Sequence, residues 1–138
     1  MTDELRPAML PEEQADLNRA GSPLAPSLPI YNACVELYVV KACVALDTTK
    51  ACASLTLLGL KLFEACAGWD KVGNVLSTTI SSSTINSGIW KLEKPVFLIE
   101  HDLMTGKGAV KFSARLYQLT LGGYIKKEDW SKATIMHW

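Results

Sequence analysis

The distribution of proline decides where this chain can build regular structure. Five of the six prolines lie within residues 1–29, and only Pro95 follows them. Proline lacks a backbone N–H and interrupts both helices and central strands. The same 29 residues contain five acidic side chains and two arginines, a net charge of −3. We therefore predict a flexible, acidic, proline-rich tail over residues 1–29 and a single folded domain over residues 30–138.

The overall composition fits a folded domain without a general affinity for polyanions. Hydrophobic residues make up 49% of the 138 residues and charged residues 20%, so the chain can bury a core. Fourteen basic and fourteen acidic side chains give a formal net charge of zero. Because no overall positive field exists, binding to nucleic acid or to an anionic membrane has to depend on a local patch.

Alternation of apolar and polar residues predicts several strands. It is clearest over residues 109–121, where Val110, Phe112 and Leu116 point one way and Lys111 and Arg115 the other. Residues 31–46 predict one long central strand. Shorter strands are predicted over residues 75–80, 89–92 and 96–101, with Pro95 at an edge or a bend between the last two. Residues 77–87 are rich in Ser and Thr and overlap the first of these strands, and we expect them to form a solvated loop or edge.

A different spacing predicts a helix between the first strands. Asp47 supplies an N-cap, and apolar residues then recur at steps of three and four up to a stop at Gly68: Ala51, Leu55, Leu58, Leu62, Ala65 and Cys66. This spacing favours an amphipathic helix of about five turns, and residues 126–137 are helical or irregular. The predicted fold class is α+β, a twisted, mostly antiparallel sheet packed on one long helix, with a disordered N-terminal tail.

The cysteines and the N-terminus point to an intracellular chain. Cys34, Cys43, Cys52 and Cys66 are separated by steps that match neither a zinc site nor a redox Cys-x-x-Cys motif. Each follows an alanine, so we expect free thiols packed in the core. The first residues do not form a secretory signal, and the longest uncharged apolar stretch, residues 51–60, is half the length of a bilayer crossing. We expect an intracellular protein that is not secreted, located in the host cytoplasm or associated with a membrane, and present in the virion if it is viral.

Candidate catalytic groups are few. His101 lies between Glu100 and Asp102, and Cys34 or Cys66 are conceivable nucleophiles, but none lies in a setting that lowers a thiol pKa. Gly106-Lys107-Gly108 leads into a strand and not into a helix, so it predicts a hairpin turn and not a phosphate-binding loop. The sequence predicts no catalytic residue, no cofactor and no metal site.

Local charge is the more informative signal. Residues 102–138 contain six basic and three acidic side chains. This positive balance complements the negative charge of the tail. The predicted contacts to an acidic surface are Lys107, Lys111, Arg115, Lys126 and Lys127. The tail and large aromatic side chains, which either complete the core or form an interface, are the predicted self-association residues: Pro23, Pro26, Pro29, Tyr31, Trp130 and Trp138.

Three segments resemble the matrix proteins of rhabdoviruses and their relatives. They are the tail from Gly21 to Pro26, residues 35–69, and residues 108–122 with their Val-Lys-Phe-Ser-Ala-Arg-Leu-Tyr run. The resemblance implies a protein that polymerises under the membrane, binds the nucleocapsid and recruits host proteins through its tail.

These observations favour a non-enzymatic viral structural or matrix-like assembly protein. It is expected to form homo-oligomers through the tail and to contact an acidic surface, either membrane lipid or nucleocapsid. The alternative is a small intracellular binding module that modulates a partner protein through the Ser/Thr-rich segment or a sheet edge. A third hypothesis is a small enzyme that uses a cysteine with His101.

Overall fold

A computed structural model describes residues 31–138 as two antiparallel β-sheets packed face to face, with no helix in this range. The first sheet has four strands in the order β1-β2-β3-β4: β1 Tyr31–Leu37, β2 Val40–Leu46, β3 Lys50–Leu57 and β4 Leu60–Gly68. The second has six: β5 Asp70–Val72, β6 Val75–Ser81, β7 Ile85–Ser87, β8 Trp90–Asp102, β9 Gly108–Thr120 and β10 Gly123–His137. Its order is β10-β9-β8-β6-β5, and β7 pairs with β8.

Each sheet is one continuous stretch of sequence. All strand pairs are antiparallel, and the chain runs through the sheets as successive hairpins, with β7 as a short interruption between β6 and β8. The chain changes sheets at Trp69, between β4 and β5. The indole Nε1 of Trp69 donates a hydrogen bond of 2.9 Å to the carbonyl oxygen of Asp47, which fixes this crossing.

The core lies between the two inner faces. Alternate residues of β2 and β3 are buried from the first sheet, and many of them are small, including Ala42, Ala51 and Ala53. The second sheet contributes larger side chains, among them Phe97 and Phe112, whose ring centroids are 5.0 Å apart. Because small residues on one sheet leave room for rings from the other, the two faces fill one apolar cluster.

The predicted long helix is wrong, and with it the α+β fold class, because the fold is all-β. Residues 51–66 belong instead to the β3–β4 hairpin. Ala51, Ala53 and Leu55 already alternate in the period of a strand and point into the core. Gly59, with a φ of 85°, forms the tight turn that a continuous helix would not contain. The apolar residues at steps of three and four are therefore divided between two strands.

Other predicted elements are partly confirmed. Residues 75–80 and 109–121 form strands β6 and β9 as expected. Residues 31–46 are two strands joined by a turn at Tyr38, and residues 126–137 lie in strand β10 and not in a helix. Pro95 does not end β8, because a register shift between Glu93 and Val96 absorbs it and its carbonyl accepts a hydrogen bond of 3.0 Å from the Ser82 amide.

The cysteines form two disulfides, so the prediction of free core thiols is wrong. Cys34 is bonded to Cys43 and Cys52 to Cys66. Each bond joins residues directly opposite each other in neighbouring strands, on the outer face of the four-stranded sheet. The spacing along the chain could not show this, because the pairing depends on the register of the two hairpins.

The C-terminal residue closes one end of the sandwich. The backbone of Trp138 pairs with that of Gly108, its ring stacks on Tyr31 at 4.5 Å, and its Nε1 donates to His101 Nδ1 at 3.1 Å. The ring of Trp130 lies 5.4 Å from that of Phe112. Tyr31, Trp130 and Trp138 therefore pack against the core. Pro23, Pro26 and Pro29 lie outside the described residues.

Gly108 tests this closure. A Cβ at Gly108 would overlap the Trp138 ring and lie 2.6 Å from the carbonyl oxygen of Glu100. We expect Gly108→Ala to lower the free energy of unfolding by about 1–3 kcal/mol, the usual effect of overpacking, as measured by urea denaturation. Gly68→Ala is the control, since its Cβ would meet only an atom at 3.9 Å. Equal stability of the two variants would contradict the packing described for Trp138.

Candidate attachment surface

Four hairpin turns lie together at one end of the sandwich. In the first sheet they are the β1–β2 and β3–β4 turns, and in the second the β7–β8 and β9–β10 turns. The Tyr38 ring meets the Trp90 ring edge-on at 6.1 Å, which places the turns of both sheets at the same end. The Tyr31–Trp138 stack marks the opposite end.

Large hydrophobic side chains are exposed mainly at these four turns. Of the eleven exposed large hydrophobic residues in the described range, eight lie in these turns or within three residues of them: Tyr38, Leu58, Leu60, Ile89, Leu119, Leu121, Tyr124 and Ile125. Leu121 is fully exposed and Leu58 is 69% exposed. The remaining three, Val72, Val75 and Met104, lie at the opposite end. We call the eight residues the apolar end. Clustering of this kind marks interaction sites on proteins.

Two of these side chains occupy backbone positions that disfavour them. Tyr38 has a φ of 60° and Leu58 a φ of 49°. Two-residue hairpin turns normally place Gly, Asn or Asp at positive φ, and a residue with a bulky side chain costs about 1 kcal/mol there. Neither side chain belongs to the apolar cluster between the sheets, and Leu58 is 69% exposed, so burial in the core does not offset this cost.

Backbone hydrogen bonds hold the turns beside one another. The Leu58 amide donates to the Val39 carbonyl at 3.3 Å, which links the two turns of the first sheet. In the second sheet the Leu119 amide donates to the Ile89 carbonyl at 2.6 Å. The exposed side chains are thus carried on turns that are tied together, and not on separate loops.

Lysines surround the apolar end. The strand rows next to the turns contain Glu36, Lys41, Thr56 and Lys61 in the first sheet and Lys91, Tyr117 and Lys126 in the second. Lys127 follows in a bulge of β10. We call the five lysines of this set the lysine collar: Lys41, Lys61, Lys91, Lys126 and Lys127. Glu36 is the only acidic residue in these rows, so positive charge predominates next to the apolar end.

The contacts of the collar lysines leave this positive charge close to the turns. Lys61 pairs with Glu64 at 3.2 Å and Lys126 with Asp129 at 3.0 Å, and both acids lie farther from the turns than their lysines. The Lys91 ammonium lies 4.4 Å from the centroid of the Tyr124 ring, a cation–π contact. These exposed ion pairs are weak, so the lysines can exchange them for another anion.

A shallow depression opens on the outer face of the first sheet beside the apolar end. Its polar lining includes Lys41, Lys61 and Glu36 with the hydroxyl groups of Ser54 and Thr56. Thr56 lies directly between the two lysines in the strand register. Two ammonium groups and two hydroxyl groups against the single carboxylate of Glu36 leave a net positive charge there, which suits a phosphate or carboxylate group.

The five residues predicted to contact an acidic surface do not form one patch. Lys111, Arg115 and Lys126 share the outer face of the six-stranded sheet, and Lys127 lies beside them. Lys107 is at the opposite end, in the turn between β8 and β9. Arg115 donates to Glu93 at 3.1 Å and approaches Asp129 at 3.8 Å, and these partners raise its pKa. Only Lys126 and Lys127 belong to the lysine collar.

The structure does not bring the candidate catalytic groups together. His101 is buried at the end opposite the apolar end and accepts a hydrogen bond from Trp138. Every cysteine is in a disulfide. Within residues 31–138 no group of His, Cys, Asp and Glu side chains is arranged to hold a metal ion. No helix in this range has the length and hydropathy to cross a bilayer.

The sequence reasoning missed the apolar end. Three of its four turns pair an aliphatic residue with glycine, where polar turn residues are usual: Leu58-Gly59, Gly88-Ile89 and Leu121-Gly122. That pairing is the sequence signal for exposed aliphatic turns, but the apolar spacing in residues 51–66 places Leu58 on the buried side of the predicted helix. Comparisons of the chain with protein-family models, curated proteins and solved structures find no match.

Replacing Leu58 tests whether this exposed side chain at positive φ lowers the stability of the fold. Asn-Gly is the preferred pair for a turn with positive φ at both central residues, and Leu58-Gly59 has this conformation. We expect Leu58→Asn to raise the free energy of unfolding by about 1 kcal/mol in urea denaturation. Leu60→Asn, at an exposed strand position without positive φ, is the control and should give no gain. Destabilisation by Leu58→Asn would show that Leu58 supports the fold.

Proposed function

We propose that this protein is a non-enzymatic attachment protein that binds the surface of an anionic lipid bilayer through the apolar end and the lysine collar. The observation that carries the proposal is the concentration of eight exposed large hydrophobic residues at four adjoining turns, with lysines in the next strand rows. This observation supports an acidic-surface contact at this end of the sandwich, and the apolar side chains favour lipid over nucleocapsid as that surface.

The chemistry of the end matches the layers of a membrane interface. Aliphatic side chains such as Leu58 and Leu121 can enter the hydrocarbon boundary, where burial is favourable by about 25 cal/mol per Å². Tyr38 and Tyr124 are amphipathic rings of the kind that concentrate at headgroup level. The collar lysines lie one step further from the turns, where anionic headgroups contribute about 1 kcal/mol per basic residue.

The depression beside the turns supports lipid over a protein partner. Lys41, Lys61, Ser54 and Thr56 line it at the height where headgroups would lie if the turns entered the bilayer. A protein partner would need to supply both a matching apolar pocket and an acidic rim. A bilayer with anionic lipid supplies both over any area.

We also propose how the protein assembles and where it is located. A matrix-like role, with self-association through the acidic tail, fits a protein that attaches to a lipid surface. The two disulfides weigh against an intracellular location, because disulfides persist mainly in oxidising compartments. We therefore propose attachment to a membrane surface that faces such a compartment.

Vesicle binding tests the lipid proposal directly. Full-length protein should co-sediment with phosphatidylcholine vesicles that contain phosphatidylserine, and much less with phosphatidylcholine alone. The double variant Leu58→Asn/Leu121→Ser should bind at least tenfold more weakly, because each lost aliphatic insertion removes about 1.5–3 kcal/mol. Val72→Ser/Met104→Ser, which removes exposed residues at the opposite end, is the matched control and should bind like the wild type.

The charge contribution is separable from the apolar one. Lys41→Gln/Lys127→Gln should weaken binding to the anionic vesicles and reduce its salt dependence, while Lys107→Gln at the opposite end should leave both unchanged. Failure of the wild type to bind any of these vesicles would rule out the proposed function. An equal loss in the apolar-end and control variants would rule out this end as the attachment site.

A further inference from the structure

Strand β1 is one edge of the four-stranded sheet in the described part of the chain, and its inward side chains are incompletely covered. It pairs only with β2 within the described residues. Its inward side chains, including Val35 and Leu37, are only half-buried, while the equivalent residues of β2 are fully buried. An unpaired edge with partly exposed apolar side chains favours the addition of another strand.

The direction of the backbone groups in β1 follows from its pairing with β2. The Cα atoms of Cys34 and Cys43 are 4.0 Å apart, the close spacing of an antiparallel pair that does not exchange hydrogen bonds. Alternate residues of a strand share this arrangement. The N–H and C=O groups of Asn32, Cys34 and Glu36 therefore point away from β2, towards the free edge.

The strand is also self-complementary. If two β1 strands run antiparallel about Cys34, Glu36 of one copy faces Asn32 of the second copy, and Val35 faces Ala33. No like charges face each other, and a carboxylate meets an amide that can donate to it. Each outward residue would exchange both backbone hydrogen bonds with the opposite strand.

The other edges of the two sheets are less suited to pairing. β10 has three register shifts and carries Lys126, Lys127 and Lys132, features that protect an edge from strand addition. β5 has only three residues. The β3–β4 ladder also contains a register shift, and Glu64 at the centre of β4 would face Glu64 of a second copy. By contrast, the register of β1 with β2 is unbroken.

We propose that two copies of this chain pair through the β1 edge, antiparallel about Cys34, to form a two-fold symmetric dimer with a continuous eight-stranded sheet. The two-fold axis is perpendicular to this sheet, so the strands of the two copies run in opposite directions. The two apolar ends therefore point away from each other. A dimer that also has the proposed lipid-binding function bridges two membrane surfaces.

Proline substitution at the two edges of the same sheet tests the dimer. Glu36→Pro removes an outward N–H from β1, and by symmetry two hydrogen bonds between the copies, so sedimentation equilibrium should show at least tenfold weaker dimerisation. Glu64→Pro is the matched control, because Glu64 is an exposed outward position on the opposite edge strand. A dimer unaffected by Glu36→Pro, or a wild-type monomer at all concentrations, would overturn the proposal.

Amide exchange on the full-length wild type tests the edge without a substitution. The amides of Asn32, Cys34 and Glu36 should exchange more slowly as protein concentration rises, while those of Glu64 and Cys66 should not change. Absence of this protection in a dimer would assign dimerisation to another surface and would contradict the proposal. This measurement also applies if Glu36→Pro does not fold.

Vesicle aggregation tests the orientation of the two copies, and this test rests on the proposed function. Wild-type protein should aggregate vesicles that contain phosphatidylserine, as measured by light scattering, whereas Asn32→Pro, which removes an outward N–H from β1 at the end opposite the apolar end, should bind them without aggregating them. A β1 dimer that does not bind lipid would overturn the proposed function and support the dimer. A dimer that binds vesicles without aggregating them would overturn the opposed orientation of the two apolar ends.

Discussion

The structure depends on the burial of two apolar sheet faces against each other, one with small side chains and one with large side chains. The first sheet contributes many small residues, including Ala42, Ala51 and Ala53, and the second contributes the rings of Phe97 and Phe112. Neither face would be stable in water by itself, and no backbone ladder joins the sheets. The interior therefore fixes their separation and relative position, while the turns at the ends are set by hairpin geometry. This division leaves the turn residues free to serve a purpose other than packing.

The strands could be predicted where only one period fits the sequence. Over β9, Val110, Phe112 and Leu116 alternate with Lys111 and Arg115, and no helical spacing competes. In residues 51–66, by contrast, alanine and leucine fit a period of two as well as steps of three and four, and Gly59 is the residue that argues against a continuous helix. A window rich in small apolar residues does not carry enough contrast between its faces to decide the element by itself.

The disulfides and the candidate surface were out of reach for a different reason. Whether Cys34 lies opposite Cys43 depends on the register of β1 and β2. A shift of one residue would move every side chain of the strand to the other face of the sheet. The lysine collar likewise combines Lys41 and Lys126 from different sheets, and only the packing of the sheets brings them to one end. Exposed leucines such as Leu58 are assigned to the core by any rule based on hydrophobicity.

The passage of the chain from one sheet to the other at Trp69 also limits how the molecule is held together. Both disulfides lie within the first sheet, and all strand pairing stays within one sheet or the other. In the described part of the chain, the two sheets are therefore connected covalently only by the backbone at Trp69. The N-terminal and C-terminal halves of the sandwich are two separate hydrogen-bonded units, and their cohesion depends on the temperature and the solvent conditions that govern hydrophobic burial. Reduction of the disulfides would loosen one half without cutting any link between the two.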